Sequence, residues 1–288
     1  MVQVDNVQGI IGSMHSGNIL AAGPTVEEAK IPLVGVGTSP TWLAQGFTYL
    51  FRSLSNSDQA VGQLAIYAKD SGLKKLAVFH SNDEYGNAGA KQFDVAAKAA
   101  GLEVASTQSF THGDRDFTGQ LGQIIATAPD AIFVWALGDD LGAVSKQIRQ
   151  WGFQGPILGP EGYTQPMVID FAGAAANGVV FASQYLVPKS VEEGSGALMQ
   201  AFLKTYGEKY GAMPEADTSF RAYDATMILA EGMKKAGNTD GTAVRDAIAN
   251  ISGLEGIAGT FNFVDGKGEG IQSVRFYRIE DGKYVELK

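Results

Sequence analysis

A single glutamate among glycines, Gly159-Pro160-Glu161-Gly162, has the clearest chemical use in this 288-residue chain. It follows the short apolar run Pro156-Ile157-Leu158, which reads as a buried strand. In open α/β sheets, ligands sit beyond the carboxyl ends of such strands. The neighbouring glycines let backbone approach closely. A carboxylate at that edge suits a ligand ammonium group; the plainer reading is a solvated turn glutamate.

Other polar groups recur at comparable edges. Ser16 follows the apolar run Val7–Gly12 and precedes a helical pattern over 19–30. Its hydroxyl can cap that helix, or help the first-turn N–H groups hold an anion. The strand expected over 31–36 runs into Gly37-Thr38-Ser39-Pro40. Gly35-Val36-Gly37 begins like a dinucleotide fingerprint, but Pro40 stands where the third glycine belongs and no capped helix follows. The loop instead offers backbone N–H groups and hydroxyls to a carboxylate. Tyr85 lies in the polar stretch Ser81–Gly86. Asp139-Asp140 is either an acid pair or the start of a helix, where carboxylates favour the dipole.

Catalytic and metal chemistry find no framework. The three histidines, His15, His80 and His112, lack metal-ligand spacing, and His80 sits inside an apolar strand. With no cysteine, there are no disulfides, thiol nucleophiles or thiolate metal sites. No nucleophile elbow or phosphate-binding lysine loop occurs, and no cofactor is expected. The net charge of −9 argues against a nucleic-acid partner. No apolar stretch is long enough to span a membrane, and the first residues do not read as a secretory signal.

The elements that must position these groups alternate regularly. Strands are expected over 49–52, 76–80, 102–108, 131–136, 156–158 and 178–182, with helices over 59–71, 87–100, 116–128 and 141–151 between them. This rhythm predicts an α/β fold of parallel sheets flanked by helices. Residues 188–195 read as a crossover between domains, followed by helices over 196–210, 218–236 and 242–250. Strands over 259–263, 271–280 and 283–287 close the chain, joined by the hairpin dipeptides Asp265-Gly266 and Asp281-Gly282.

Taken in order, several of these stretches resemble the periplasmic solute-binding proteins of the leucine/isoleucine/valine-binding family, which serve ABC transporters. The resemblance rests on Ile10-Ile11-Gly12 with His15-Ser16-Gly17, Thr38-Ser39-Pro40, Phe51-Arg52, Asn82–Gly86 and Asp114–Phe117. Gly159–Gly162, Tyr223-Asp224-Ala225 and Gly256–Phe263 complete it, so that it runs over essentially the whole chain. It implies a type I fold of two α/β lobes joined by three crossovers, with ligand in the cleft. The lobes are expected at 1–56 with 187–258 and at 57–186 with 259–288. By position, Ser16, Gly37, Thr38 and Ser39 look like the carboxylate-binding group of the first lobe. Tyr85 and Glu161 belong to the second lobe, and Glu161 looks like the partner of the α-ammonium. The implied partners are a small amino acid, with closure of the lobes on it, and an ABC-transporter membrane permease. The implied location is periplasmic.

Two departures from the family pattern carry further expectations. Branched-chain binders usually have an aromatic residue after the strand corresponding to 131–136, where this chain offers Asp139. Asp139 either favours a more cationic or hydroxylated ligand or points to solvent. Family members also begin with strand–helix units that have no counterpart before Val7, on the order of 60 residues. The first lobe is therefore expected to be incomplete at its N-terminus and rearranged or covered by a partner, for example in a homodimer. Other ligands of the same fold (amides, urea, aromatic carboxylates) and a ligand-sensing regulatory domain are the alternatives, and Glu161 counts against a ligand without an amine.

Overall fold

The first apolar run yields a strand of only two residues, β1 (Ile10–Ile11), shorter than the expected 7–12. The computed structural model describes residues 2, 4–263, 268–271 and 274–287. Helix α1 (Ser16–Ala29) follows, starting three residues earlier than its apolar pattern suggests. Next come β2 (Leu33–Gly35) and β3 (Leu50–Arg52). These strands form one parallel sheet in the order β1–β2–β3.

A long alternation comes next: α2 (Ser57–Asp70), β4 (Lys75–Ser81), α3 (Glu84–Ala100), β5 (Glu103–Phe110) and α4 (Thr118–Ala126). It continues through β6 (Ala131–Trp135), α5 (Gly138–Gln150), β7 (Ile157–Gly159), α6 (Pro166–Ala172) and β8 (Val179–Ser183). The remainder is α7 (Ala197–Tyr210), α8 (Thr218–Ala236), α9 (Gly241–Ala249), β9 (Ser252–Glu255), β10 (Thr260–Asn262), β11 (Arg275–Glu280) and β12 (Lys283–Leu287). The chain divides into two units, residues 1–56 with 187–273 and residues 57–186 with 274–288.

In the second unit, seven strands form one sheet in the order β5–β4–β6–β7–β8–β11–β12. The first five are parallel, while β11 and β12 are antiparallel, so the sheet is mixed rather than purely parallel. All five residues of β6 are buried, as a strand covered on both faces requires. One face carries Val134, Leu121, Val144 and Phe181; the other carries Phe133, Phe93, Leu64 and Trp135. Phe133 stacks on Phe93 at 3.9 Å and on Trp135 at 5.2 Å between ring centroids. Asp281 and Gly282 have φ of 48° and 71°. Positive φ at both positions is what a two-residue hairpin turn demands.

In the first unit, Val34, Phe51, Ile228, Ile248 and Phe263 share one core, and Ile19, Leu33, Trp42 and Leu50 another. Residues 259–263 and 268–271, expected in the second lobe, belong here. Thr260–Asn262 pairs antiparallel with β9, and Phe261, Phe263 and Ile271 pack with Val34 and Phe51. The Asp265-Gly266 dipeptide lies outside the described residues. The last long strand begins at Arg275 rather than at 271.

Candidate functional site

In the first unit, Ser16 is not the cap of α1. His15 occupies the cap position with no side-chain cap bond, and Ser16 is the first helical residue. Its side chain is 2% exposed, and its Oγ accepts the Ser39 N–H at 3.3 Å. Gly37 lies against the same hydroxyl. A Cβ there would stand 2.8 Å from Ser16 Oγ and 3.0 Å from the Met14 carbonyl, so only glycine fits. Ser39 is fully buried and caps a short 3-10 turn, Pro40–Trp42, by accepting the Thr41 N–H at 3.3 Å. Thr38 is also buried. The structure thus brings Ser16, Gly37 and Ser39 together, with Thr38 between the last two.

Two arginines that the sequence reading gave no role lie behind this loop. The buried Arg52 guanidinium donates to the carbonyls of Gly37 (3.2 Å), Thr38 and Ser39 (2.7 Å). It also stacks on Trp42 at 4.3 Å from the ring centroid and lies 3.7 Å from the Glu269 carboxylate. Arg221, itself buried, donates to the Val36 carbonyl at 3.2 Å and is paired with Asp217. A charged residue ending a short apolar strand, and an Asp/Arg pair four residues apart, were the only signals available in the sequence.

In the second unit, Tyr85 sits in the first turn of α3 rather than in a loop. Asp83 caps that helix by accepting the Gly86 N–H at 2.7 Å. The Tyr85 ring lies 5.5 Å from that of Trp135, and its hydroxyl donates to Glu161 Oε2 at 3.1 Å. Glu161 is half-buried and opens a 3-10 turn, Glu161–Thr164, directly after β7.

That turn is firmly held. Tyr284 donates to the carbonyls of Tyr163 (3.1 Å) and Thr164 (2.9 Å), and Thr164 Oγ1 donates to the Glu161 carbonyl at 2.8 Å. Tyr163, fully buried, is hydrogen-bonded to Ser145 at 2.8 Å, and burial pushes its phenol up to about 12. Burial raises Tyr284 as well.

The adjacent acids separate by environment. Asp139 and Asp140 both lie in the first turn of α5; Asp139 is exposed and Asp140 fully buried. Asp140 accepts from His112 Nδ1 (2.7 Å), the Gly113 N–H (3.1 Å) and Arg115 (3.2 Å). The hydrogen bond it donates to Asp140 is the main reason His112 titrates above its ordinary value. Asp140 therefore holds the loop after β5 instead of pairing with Asp139 for acid–base work. His80 is buried, with Nδ1 2.8 Å from the Ser81 carbonyl. Among the described residues, no group of three acidic or histidine side chains is placed to hold a metal ion. No described helix is long and apolar enough to cross a membrane.

Each unit thus presents a group of polar side chains and backbone at the end of a sheet strand. The first offers hydroxyls and a loop of backbone N–H groups; the second offers a carboxylate oriented by a tyrosine. The chain belongs to the periplasmic binding protein family, whose match covers residues 1–283. Among curated proteins it is similar to a Leu/Ile/Val-binding protein homolog of Brucella melitensis, 24% identical over 99% of this chain and 76% of the relative. A solved leucine binding protein from Thermotoga maritima is 29% identical with a TM-score of 0.89, over 100% of this chain and 81% of its own. The substrate binding protein of a Streptococcus pneumoniae branched-chain amino acid transporter, solved with isoleucine, shares the fold at a TM-score of 0.84. That protein is 24% identical over 99% of this chain and 81% of its own.

Proposed function

We propose that this protein binds a small, mainly aliphatic amino acid outside the cytoplasm and delivers it to the membrane permease of an ABC transporter. The observation that carries this reading is the Glu161 carboxylate, held by the Tyr85 hydroxyl at 3.1 Å at the carboxyl end of β7. An ammonium complements a carboxylate in charge and hydrogen-bonds it directly. The opposite end of a zwitterion suits the first unit, where Ser16, Gly37, Thr38 and Ser39 offer hydroxyl and N–H donors. Asp139, exposed beside this region, is assigned to tuning which ligand side chain is accepted. The similarity to a leucine binding protein at 29% identity supports the aliphatic class.

The test is a thermal-shift panel of the twenty amino acids, urea, simple amides and aromatic acids. A ligand at about a thousand times its dissociation constant adds roughly 4 kcal/mol, several degrees for a protein of this size. A shift confined to one amino-acid class, lost in Glu161→Gln, is the expected result. A shift with urea or benzoate and none with amino acids would overturn the reading.

A further inference from the structure

Resting on the reading just given, we propose that Arg52 and Arg221 are the positioning residues that make the 36–39 loop specific for a ligand carboxylate. In a trans peptide, the carbonyl and the N–H of the same plane point in opposite directions. The carbonyls of Gly37 and Thr38 are turned toward Arg52, so the N–H groups of Thr38 and Ser39 face away from it. The Val36 carbonyl is turned toward Arg221, so the Gly37 N–H faces away from that guanidinium. Ser16 gives an independent check. Its hydroxyl receives the Ser39 N–H at 3.3 Å, and it lies 2.8 Å from where a Gly37 Cβ would stand. The hydroxyl and the Thr38 and Ser39 N–H groups therefore share the side of the loop opposite Arg52.

Successive N–H groups facing one way form a nest for an anion. The two guanidiniums fix that arrangement before ligand arrives, so the loop need not reorganise on binding. Each also has an acidic neighbour. Arg221 is hydrogen-bonded to the Asp217 carboxylate at 2.8 Å, and Arg52 lies 3.7 Å from the Glu269 carboxylate. Glu269 in turn receives the Asn56 amide at 2.8 Å. A neutral amide in place of the carboxylate brings an N–H₂ donor toward donors, so such ligands are rejected.

The test compares L-leucine with L-leucinamide by calorimetric titration of the wild-type protein and of Arg52→Lys. Wild type is expected to prefer the acid at least tenfold. Arg52→Lys should weaken the acid roughly 10- to 100-fold and the amide by much less, because the lost hydrogen bonds to a charged group are made by the acid alone. A folded Arg52→Lys protein that keeps the wild-type preference would overturn the proposal, since a merely structural role would weaken both ligands alike. A second measurement needs no variant: amide ¹⁵N shifts of Gly37 and Thr38 in wild type, titrated with sodium acetate against sodium chloride of equal ionic strength. Acetate-specific shifts at these amides are expected. If they occur and leucine does not bind, the carboxylate nest stands and the amino-acid reading fails. If neither acetate nor leucine moves them, the nest itself is refuted.

Discussion

In the second unit, the turn carrying Glu161 stands on β7, inside a seven-stranded sheet with apolar cores on both faces. In the first unit, the Thr38–Ser39 loop stands on β2, three residues long in a sheet of three strands. The second unit holds its polar turn with aromatic packing and tyrosine hydroxyls. The first has little sheet to build on, and its loop is tied instead to buried charges: Arg52 with Glu269, and Arg221 with Asp217. Asp224, also fully buried, braces the same unit by accepting the N–H groups of Ile257 (2.7 Å) and Ala258 (2.8 Å). Where few residues can be packed, directional bonds to charged groups set the geometry, and their removal is costly because each partner is left buried.

The sharpest way to break this comparison is Arg52→Met, which keeps length and apolar stem but removes the guanidinium. Three loop carbonyls would lose their donor and Glu269 its neighbouring cation. Breaking a buried charge pair on one side costs about 3–5 kcal/mol. Trimming the second unit's sheet at Ile132→Val should cost only about 0.5–1.5 kcal/mol. Urea midpoints of the two variants measure both. Equal losses would mean that the first unit does not depend on its charges in the way described.

A second test concerns the other unit and comes from pH. Tyr163 has its phenol pushed up to about 12 by burial, against an ordinary value of 10.0, with the Ser145 hydrogen bond opposing. Because the folded state holds this proton more tightly than the unfolded chain, the contribution is complete below the unfolded value. It is lost as pH rises through the folded one. By pH 12 the loss is about 2 kcal/mol from this group. Tyr163→Phe should flatten that part of the alkaline limb while costing about 1 kcal/mol at neutral pH for the Ser145 bond. Tyr284, raised for the same reason, continues to contribute in the variant. An alkaline limb unchanged by the substitution would remove Tyr163 from the account.

The same contrast explains what could be read from sequence. Helix α8 has the bounds its periodicity predicts, Thr218–Ala236, and β6 is the apolar run expected near 131–136. Such patterns are local and legible in either unit, in α8 of the first and β6 of the second. Strand β9, Ser252–Glu255, is largely exposed and has a single large apolar residue, so no period marks it. Helix α6 begins at Pro166 after a stretch that reads as a loop. Residues 259–263 read correctly as extended, but nothing local says that Phe261 and Phe263 pack beside Val34 and Phe51. Pairing partners are tertiary facts, and that is why 259–263 was expected in the other unit. The site divides in the same way. Glu161 and Tyr85 were legible as polar residues at sheet edges, and their mutual hydrogen bond supports grouping them. Ser16 was legible as a helix-start serine, but its partner, Ser39, lies 23 residues away. Asp139 and Asp140 are neighbours in one helical turn, about 100° apart around the axis, so one faces solvent and the other is buried. A sequence alone does not say which.

The smallest effect expected separates those two aspartates. His112, half-exposed, donates through Nδ1 to Asp140 at 2.7 Å, while Arg115 reaches the same carboxylate at 3.2 Å. The Asp140 hydrogen bond is the largest cause of the raised His112 value, partial burial opposes it, and the charges of Asp140, Asp139 and Asp83 add to it. A histidine held protonated in the fold contributes stability that is complete below its unfolded value near 6.5. That contribution declines as pH rises through the folded value. Wild type should therefore lose a small part of its stability between pH 5 and 8, and His112→Gln should show a flatter profile across that range. Asp139→Asn removes one of the weaker contributions and should leave most of the slope, whereas Asp140→Asn should abolish it and lower stability at every pH, because Arg115 and His112 lose the buried negative charge they pair with. Urea midpoints of the three variants, taken at intervals across the range, decide the matter. If Asp139→Asn alters the slope as much as Asp140→Asn, the exposed acid and the buried one do not play the separate parts assigned to them.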